Sequence, residues 1–257
     1  MSDHGRVDPR AAEGPAEARE GGAAEISIEW LGTRPYAEAL AFQERAVRDR
    51  LAGRTPDRLL LLEHPQVVTL GRSTDPDNLK LSEEELRAAG VDLFEIGRGG
   101  DVTYHAPGQL VGYPIVDLDA LGRRDVHAHL RTLESALIDS LEEIGIPSMR
   151  IPGWTGVFVD RERSSRPQGR ERKIASIGVG VRRWVTFHGF ALNVTIDLAG
   201  FEAIVPCGLR DVEMTSVERE LTREAVGDAL RGNQLDERVR KIVGENMRLH
   251  LSMTPDG

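Results

Sequence analysis

The sequence predicts an α+β fold, a single domain with a mixed β-sheet flanked by helices, and three observations carry that expectation. Short apolar runs rich in Val, Ile and Leu recur between turn-forming residues. Apolar residues at helical spacing recur in separate stretches early, midway and late in the chain. The two kinds of segment interleave without the regular alternation that builds an all-parallel sheet.

Taken in order, residues 25–31 read as an edge strand, and residues 36–51 as a helix with Tyr36, Leu40, Val47 and Leu51 on one face. Residues 59–62 and 67–70 are short apolar strands, parted at His64-Pro65 because proline lacks the N–H a ladder needs. Ser82 and Glu85 have capping-box spacing and open a short helix that ends at Gly90. Residues 91–96 are strand-like and run into a glycine-rich stretch. Leu130, Leu133, Leu137, Leu141 and Ile144 define the clearest helix, stopped by Gly145. Residues 155–159, 174–181 and 187–196 read as strands, the last two parted by Arg182-Arg183-Trp184. Beyond the N-cap signal Thr215-Ser216 the chain is helical through about residue 251.

The first 24 residues contain no Leu, Ile, Phe, Tyr or Trp, so they offer too little apolar surface to offset the entropy of ordering. The expected organisation is a disordered tail over 1–24, one domain over 25–251 and a short tail over 252–257. Nothing approaches the roughly 20 apolar residues of a membrane span, and the first residues lack a secretory apolar region. A cytoplasmic protein without membrane contact is expected. A net charge of −9 argues against nucleic acid. The pair His127 and His129 does not read as a zinc site, because alternate residues of a helix point apart; neither a metal nor a cofactor is expected.

Three segments carry chemistry. Cys207, the single cysteine in 257 residues, lies in Pro206-Cys207-Gly208. One cysteine makes neither an internal disulfide nor a thiolate cluster, which leaves packing or reactivity. The second segment runs Arg98-Gly99-Gly100-Asp101-Val102-Thr103-Tyr104-His105-Ala106-Pro107-Gly108-Gln109. Its paired glycines admit close approach of a ligand to the backbone and leave N–H groups for an oxyanion, yet it matches neither a P-loop nor a dinucleotide fingerprint. The third begins at Lys173-Ile174-Ala175-Ser176-Ile177-Gly178 and continues through His188-Gly189-Phe190-Ala191. Lysines stand only at 80, 173 and 241, against 33 Lys and Arg together. A lysine kept where arginine is the usual cation is informative, since only lysine can give up its proton in a protein.

In order and spacing these segments resemble the lipoate-protein ligase B family, the octanoyl-[acyl-carrier-protein]:protein N-octanoyltransferases. Arg98 to Tyr113, Lys173 to Gly178, His188 to Asn193 and Pro206 to Gly208 match the family's motifs, and His64 to Gly71 its opening one. Ala106 stands where glycine is frequent, and residues 161–172 form an Arg- and Ser-rich insertion. The resemblance implies the biotin/lipoate ligase catalytic fold and an acyl transfer without ATP. Cys207 would carry the acyl group as a thioester, with Lys173 as its base and His105 or His188 as alternatives. The acyl chain would lie against Arg98, Gly99, Gly100, Asp101, Val102, Thr103, Tyr104 and His105, against Ser176, Ile177 and Gly178, and against Gly189, Phe190 and Ala191. Backbone N–H groups near Gly99, Gly100, Gly178 or Cys207 would hold the oxyanion. The implied partners are octanoyl-acyl carrier protein and the lipoyl domains of 2-oxoacid dehydrogenase complexes and glycine cleavage H protein. Because such partners are acidic, docking calls for a basic patch, with Arg123 and Arg124, the 161–172 insertion, and Arg182 with Arg183 as candidates. An ATP-dependent lipoate or biotin ligase, a lipoyl amidotransferase, or a non-catalytic module binding the carrier or the lipoyl domain are the alternatives. The Pro-Cys-Gly context separates the first from the transferase.

Overall fold

Leucines 59 to 62 show how the architecture arises. A strand turns successive side chains to opposite faces, so four consecutive leucines place an apolar pair on each side of a sheet. Leu59 and Leu61 join one core cluster and Leu60 and Leu62 another, and all four are fully buried. The computed structural model describes residues 26–164, 166–209, 211–221 and 233–253. The expected N-terminal tail and residues 254–257 lie outside them.

The chain begins β1 (Ser27–Thr33), α1 (Tyr36–Leu51), β2 (Arg58–Glu63) and β3 (Val67–Leu70). It continues through α2 (Glu83–Ala88), β4 (Asp92–Glu95), β5 (Thr103–His105) and β6 (Gln109–Ile115). Next come α3 (Val126–Ile144), β7 (Ser148–Met149), β8 (Val157–Val159), β9 (Glu171–Arg182) and β10 (Val185–Asn193). Then follow β11 (Val212–Met214), the single turn α4 (Val217–Glu220) and α5 (Asn233–Ser252). An eight-stranded mixed sheet has the order β1-β2-β6-β10-β9-β8-β7, with β11 beside the start of β9. A separate three-stranded sheet has the order β4-β3-β5.

α3 and α5 cover one face of the large sheet. Leu133, Leu137 and Leu141 meet Val239, Val243 and Met247 over Leu59, Leu61 and Leu192. On the opposite face α1 sets Ala39, Ala46 and Val47 against Leu60, Leu62, Val111 and Tyr113. The small sheet packs Val68, Val102 and Tyr104 against Phe201, Ile204 and Met214. Helices 36–51 and 130–144 and the Ser82–Glu85 capping box stand where the sequence places them. The late helical stretch differs: after Ser216 caps α4 the chain leaves the helix at Leu221, and α5 is a separate element. β5, β6, β7 and β11 are not evident from periodicity, because they are short or, like β6, buried along their whole length.

Candidate active site

Between the two sheets lies a cavity of about 400 Å³ whose walls come from α1, both sheets and four connecting segments. That is within the range of about 300–1,000 Å³ usual for small-ligand sites. One wall is a trough in the large sheet. Ser176 pairs with Ala191 and Gly178 with Gly189 across β9 and β10. Residues two apart share a face, so four small residues form one depression in a surface otherwise carrying larger side chains. Opposite, the loop 97–101 lies across β9: the Gly99 N–H donates to Val179 O at 3.0 Å, and a Cβ on Gly178 would come within 2.9 Å of Gly99 O. Gly178 is therefore required by close approach of two backbones.

Lys173 enters from the start of β9, 1% exposed. Its Nζ donates to Thr155 O at 3.0 Å and lies 5.6 Å from the centre of the Phe158 ring. Gly156, at φ +126°, leaves the room it uses: a Cβ there would stand 2.7 Å from Lys173 Cε. The strand beneath is fastened from the side. Thr215 donates its N–H to Lys173 O and its hydroxyl to Glu220, and Glu220 accepts from the buried Arg172 at 2.9 Å. Arg172 in turn donates to Arg166 O and to Ser164 Oγ. The 161–172 insertion is thus tied to α4 through Arg172. Within it Arg161, Arg163, Arg166 and Arg172 each face a carboxylate, as does Arg124 outside it.

Five rings crowd the opposite end of the cavity. His64 Nδ1–H donates to Arg34 O at 2.8 Å, which leaves Nε2 to accept from the Tyr113 hydroxyl at 2.8 Å. His105 Nδ1–H donates to Gln109 Oε1 at 2.7 Å; Gln109 donates to Asn193, and Asn193 to Thr215 O. Burial pushes these imidazoles well below their ordinary range, to about 4 for His64 and about 3 for His105 and His188. The nearby Arg98 guanidinium lowers His105 and His188 further. Burial also raises the Tyr36 and Tyr113 phenols, so the five rings are uncharged near neutral pH while Arg98 beside them keeps its charge. An imidazole that releases its proton near pH 3 is a poor base for a thiol, which counts against His105 and His188 in that role.

The Pro206–Gly208 turn stands at the rim. Val205 N–H donates to Asn78 O at 2.7 Å, and Asn78 donates through Nδ2 to Asp101. Leu209, just past the turn, lines the same cavity as Lys173. The Cys207 side chain lies outside the described atoms.

Of the expected contact residues, Arg98, Gly100, Asp101, Thr103, His105, Ser176, Ile177, Gly178, Gly189, Phe190 and Ala191 line the cavity with Lys173. Gly99, Val102 and Tyr104 do not. Val102 and Tyr104 turn into the core beside Phe201, because alternation along this segment sets them on the face opposite Thr103 and His105. The Gly99 N–H is already bonded to Val179 O and so is excluded as an oxyanion donor. Asp101 bonds internally to Val102 N–H and Asn78, and positions the rim. Tyr36, Ser73, Ile96, Gly153, Trp154 and Thr155 line the cavity without having stood out as site residues in the sequence, because they lie outside its motifs; Val111 also lines it, from within the first motif. Among the described residues no group of three or more His, Cys, Asp or Glu side chains is placed to hold a metal; His127 is exposed and His129 buried. No described helix is long and apolar enough to cross a membrane.

A fold of this kind with a small-residue trough and a buried lysine defines a class, the lipoyl protein ligase A/B catalytic domain, whose family model matches residues 35–233. The lipoate protein ligase of an archaeal lipoylation system from Thermoplasma acidophilum shares the fold at TM-score 0.63 and 17% identity, covering 89% of this chain and 84% of its own. A lipoate-protein ligase A bound with ATP does so at TM-score 0.61 and 17% identity, covering 89% and 92%. Curated octanoyltransferases stand nearer in sequence. That of Solibacter usitatus is 54% identical, over 70% of this chain and 76% of its own. Those of Syntrophotalea carbinolica and Christiangramia forsetii are 50% and 44% identical, over 76% and 79% of this chain and 83% and 88% of theirs. The chain belongs to the lipoyl protein ligase A/B family and, within it, to the octanoyltransferases, which are acyltransferases of protein lipoylation.

Proposed function

We propose that this chain takes an octanoyl group from octanoyl-acyl carrier protein, holds it as a thioester on Cys207, and passes it to one lysine of a lipoyl domain. Lipoyl domains of 2-oxoacid dehydrogenase complexes and the glycine cleavage H protein are the acceptors in this reading, and the cytoplasm, where a lone thiol stays reduced, is the setting. The observation that carries it is the buried Lys173 facing the same cavity as the residue after the Pro-Cys-Gly turn. In the first step the Cys207 thiolate attacks the donor's carbonyl carbon. A C–S bond forms, the bond to the carrier's sulfur breaks, and that sulfur leaves as a thiol with a proton given up by the Lys173 ammonium, which is left as the amine. In the second step the acceptor amine attacks the same carbon, loses a proton to Lys173, and the Cys207 thiolate departs. One thioester is exchanged for another and then for a more stable amide, so no ATP is consumed. The small-residue trough and the apolar residues Ile96, Val111 and Ile177 supply a slot for the acyl chain.

The test is the intact mass of the protein after incubation with octanoyl-acyl carrier protein in the absence of ATP. The expected result is one added octanoyl group, removed by hydroxylamine and absent from Cys207→Ala. A protein that stays unmodified, or is modified only when ATP is supplied, would return the choice to an ATP-dependent ligase.

A further inference from the structure

The trough that starts near Lys173 does not run on indefinitely. Counting along β9, Lys173 and Gly178 are five residues apart, about 16 Å of strand at the usual rise. Two residues further on the same face the trough stops, because the Phe187 ring covers Gly180, and the neighbouring His188, at φ +55°, lines the cavity at that end. Tyr113, two residues beyond Val111 on β6 and so on the same face, closes the trough from the side. Tyr36 arrives from α1 and His105 from β5, and all four of these rings line the cavity. Their mutual packing is close: Tyr113 and His188 have centroids 6.1 Å apart, and Tyr36 and His105 are 6.4 Å apart. His64 sits among them, 5.0 Å from Tyr36, 5.7 Å from His105 and 6.2 Å from Tyr113. It is fixed by its bonds to Arg34 O and the Tyr113 hydroxyl. His188 is held through its backbone as well, at φ +55° with its N–H on Gln43 Oε1.

We propose that this plate of four rings, Tyr36, His105, Tyr113 and His188, pinned by His64, is the stop that sets the length of the acyl chain. Tyr36 and His188 are its specificity-determining members. The proposal rests on the reading of the cavity as the acyl slot. A chain that ends short of the plate gains rate with every methylene it buries, about fourfold for each. A chain that reaches the plate must displace rings that hydrogen bonds and packing hold in place, and an overfilled slot reverses the gain.

The experiment measures relative kcat/KM for hexanoyl, octanoyl, decanoyl and dodecanoyl thioesters of acyl carrier protein, in wild type, Tyr36→Ala and His188→Gly. Thermal melting of each variant checks its fold, and His188→Gly suits the positive φ already present there. Wild type should rise to eight carbons and fall by ten. Each opened variant should prefer ten or twelve carbons, its decanoyl-to-octanoyl ratio raised about tenfold or more, as roughly two newly buried methylenes imply. In wild type, NMR supplies a reading that needs no substitution: octanoylation of Cys207 should shift the His105 and His188 ring signals, and butanoylation should leave them in place. Folded variants that still prefer eight carbons, or ring signals indifferent to chain length, overturn the proposal while the acyl-slot reading stands. A wild-type protein that accepts no acyl group overturns the reading itself.

Discussion

At one end of the cavity a single long side chain, Lys173, reaches past a glycine to a backbone carbonyl, whereas at the other five rings bond largely to one another and to the chain around them. Both ends are buried and both are polar. They differ in what their polar atoms are engaged in. His64, His105 and Tyr113 are committed to partners that fix ring orientation and leave the rings neutral, as suits a wall. At the near end the neighbouring Arg172, Glu220 and Thr215 carry the structural bonds and hold the Lys173 backbone in place. Two ends of one cavity thus divide the labour, and substitutions should separate into those that cost rate and those that cost stability.

The largest effect is expected at Lys173. Arginine keeps a positive charge but cannot take a proton, so Lys173→Arg should retain much of the thiol's reactivity toward iodoacetamide, measured against pH. Transfer to the lipoyl domain should fall roughly 10²- to 10⁴-fold, the usual range for loss of a proton-transfer group. Transfer at near wild-type rate would reduce Lys173 to an electrostatic partner and erase the contrast between the ends.

Acid should act on the far end. The folded-state pKa values of His64, His105 and His188 lie at about 4, 3 and 3, below the ordinary 6.5. Between those values the unfolded chain binds protons that the folded one refuses. Stability is therefore intact above about pH 6.5 and declines as pH falls toward 4, by at most about 1.4 kcal/mol per pH unit for each imidazole. Urea unfolding at pH 7 and pH 5 checks this, and His188→Gln should flatten the dependence. A stability that rises on acidification would mean that these imidazoles take up protons when folded.

A third expectation concerns Gly156. A Cβ at φ +126° would meet Ala175 O at 2.6 Å and Lys173 Cε at 2.7 Å. Gly156→Ala should displace the lysine by a fraction of an ångström to an ångström and slow transfer about 10²-fold. Steady-state kinetics beside a melting curve separates this from plain unfolding, which would lower the active fraction and leave the rate per folded molecule unchanged.

Much of this arrangement was legible in the residues. Lys173 stood out because arginine is the chain's habitual cation, and the glycines at 178 and 189 fall where the strands need smallness. What the sequence hid follows from geometry. A run such as Val102-Thr103-Tyr104-His105 reads as one motif, yet a strand deals its members alternately to the cavity and the core. Tyr36 belongs to a helix whose buried face, with Ala39, Gln43, Ala46 and Val47, reads as ordinary packing until β5 is brought beside it. The ion pairs of Arg163, Arg166 and Arg172 are hidden as well, because their carboxylate partners Glu142, Glu213 and Glu220 are distant in sequence.

The smallest effect, and the one that tests the division most finely, is at Tyr113. Replacing it with phenylalanine keeps the ring at its place in the plate and removes one oxygen, so the shape of the cavity end is preserved. His64 Nδ1–H still donates to Arg34 O, but Nε2 loses the hydroxyl it accepts from and is left as a buried acceptor. Such a group costs on the order of 1–3 kcal/mol. Tyr113→Phe should therefore lower the urea midpoint while the preferred acyl length stays where it is and kcat/KM for octanoyl transfer falls by less than about tenfold, or about 1.4 kcal/mol. A loss of transfer comparable to that of Lys173→Arg, with stability unchanged, would show that the Tyr113 hydroxyl acts on the reacting group, and the far end would then belong to the chemistry and not to the wall.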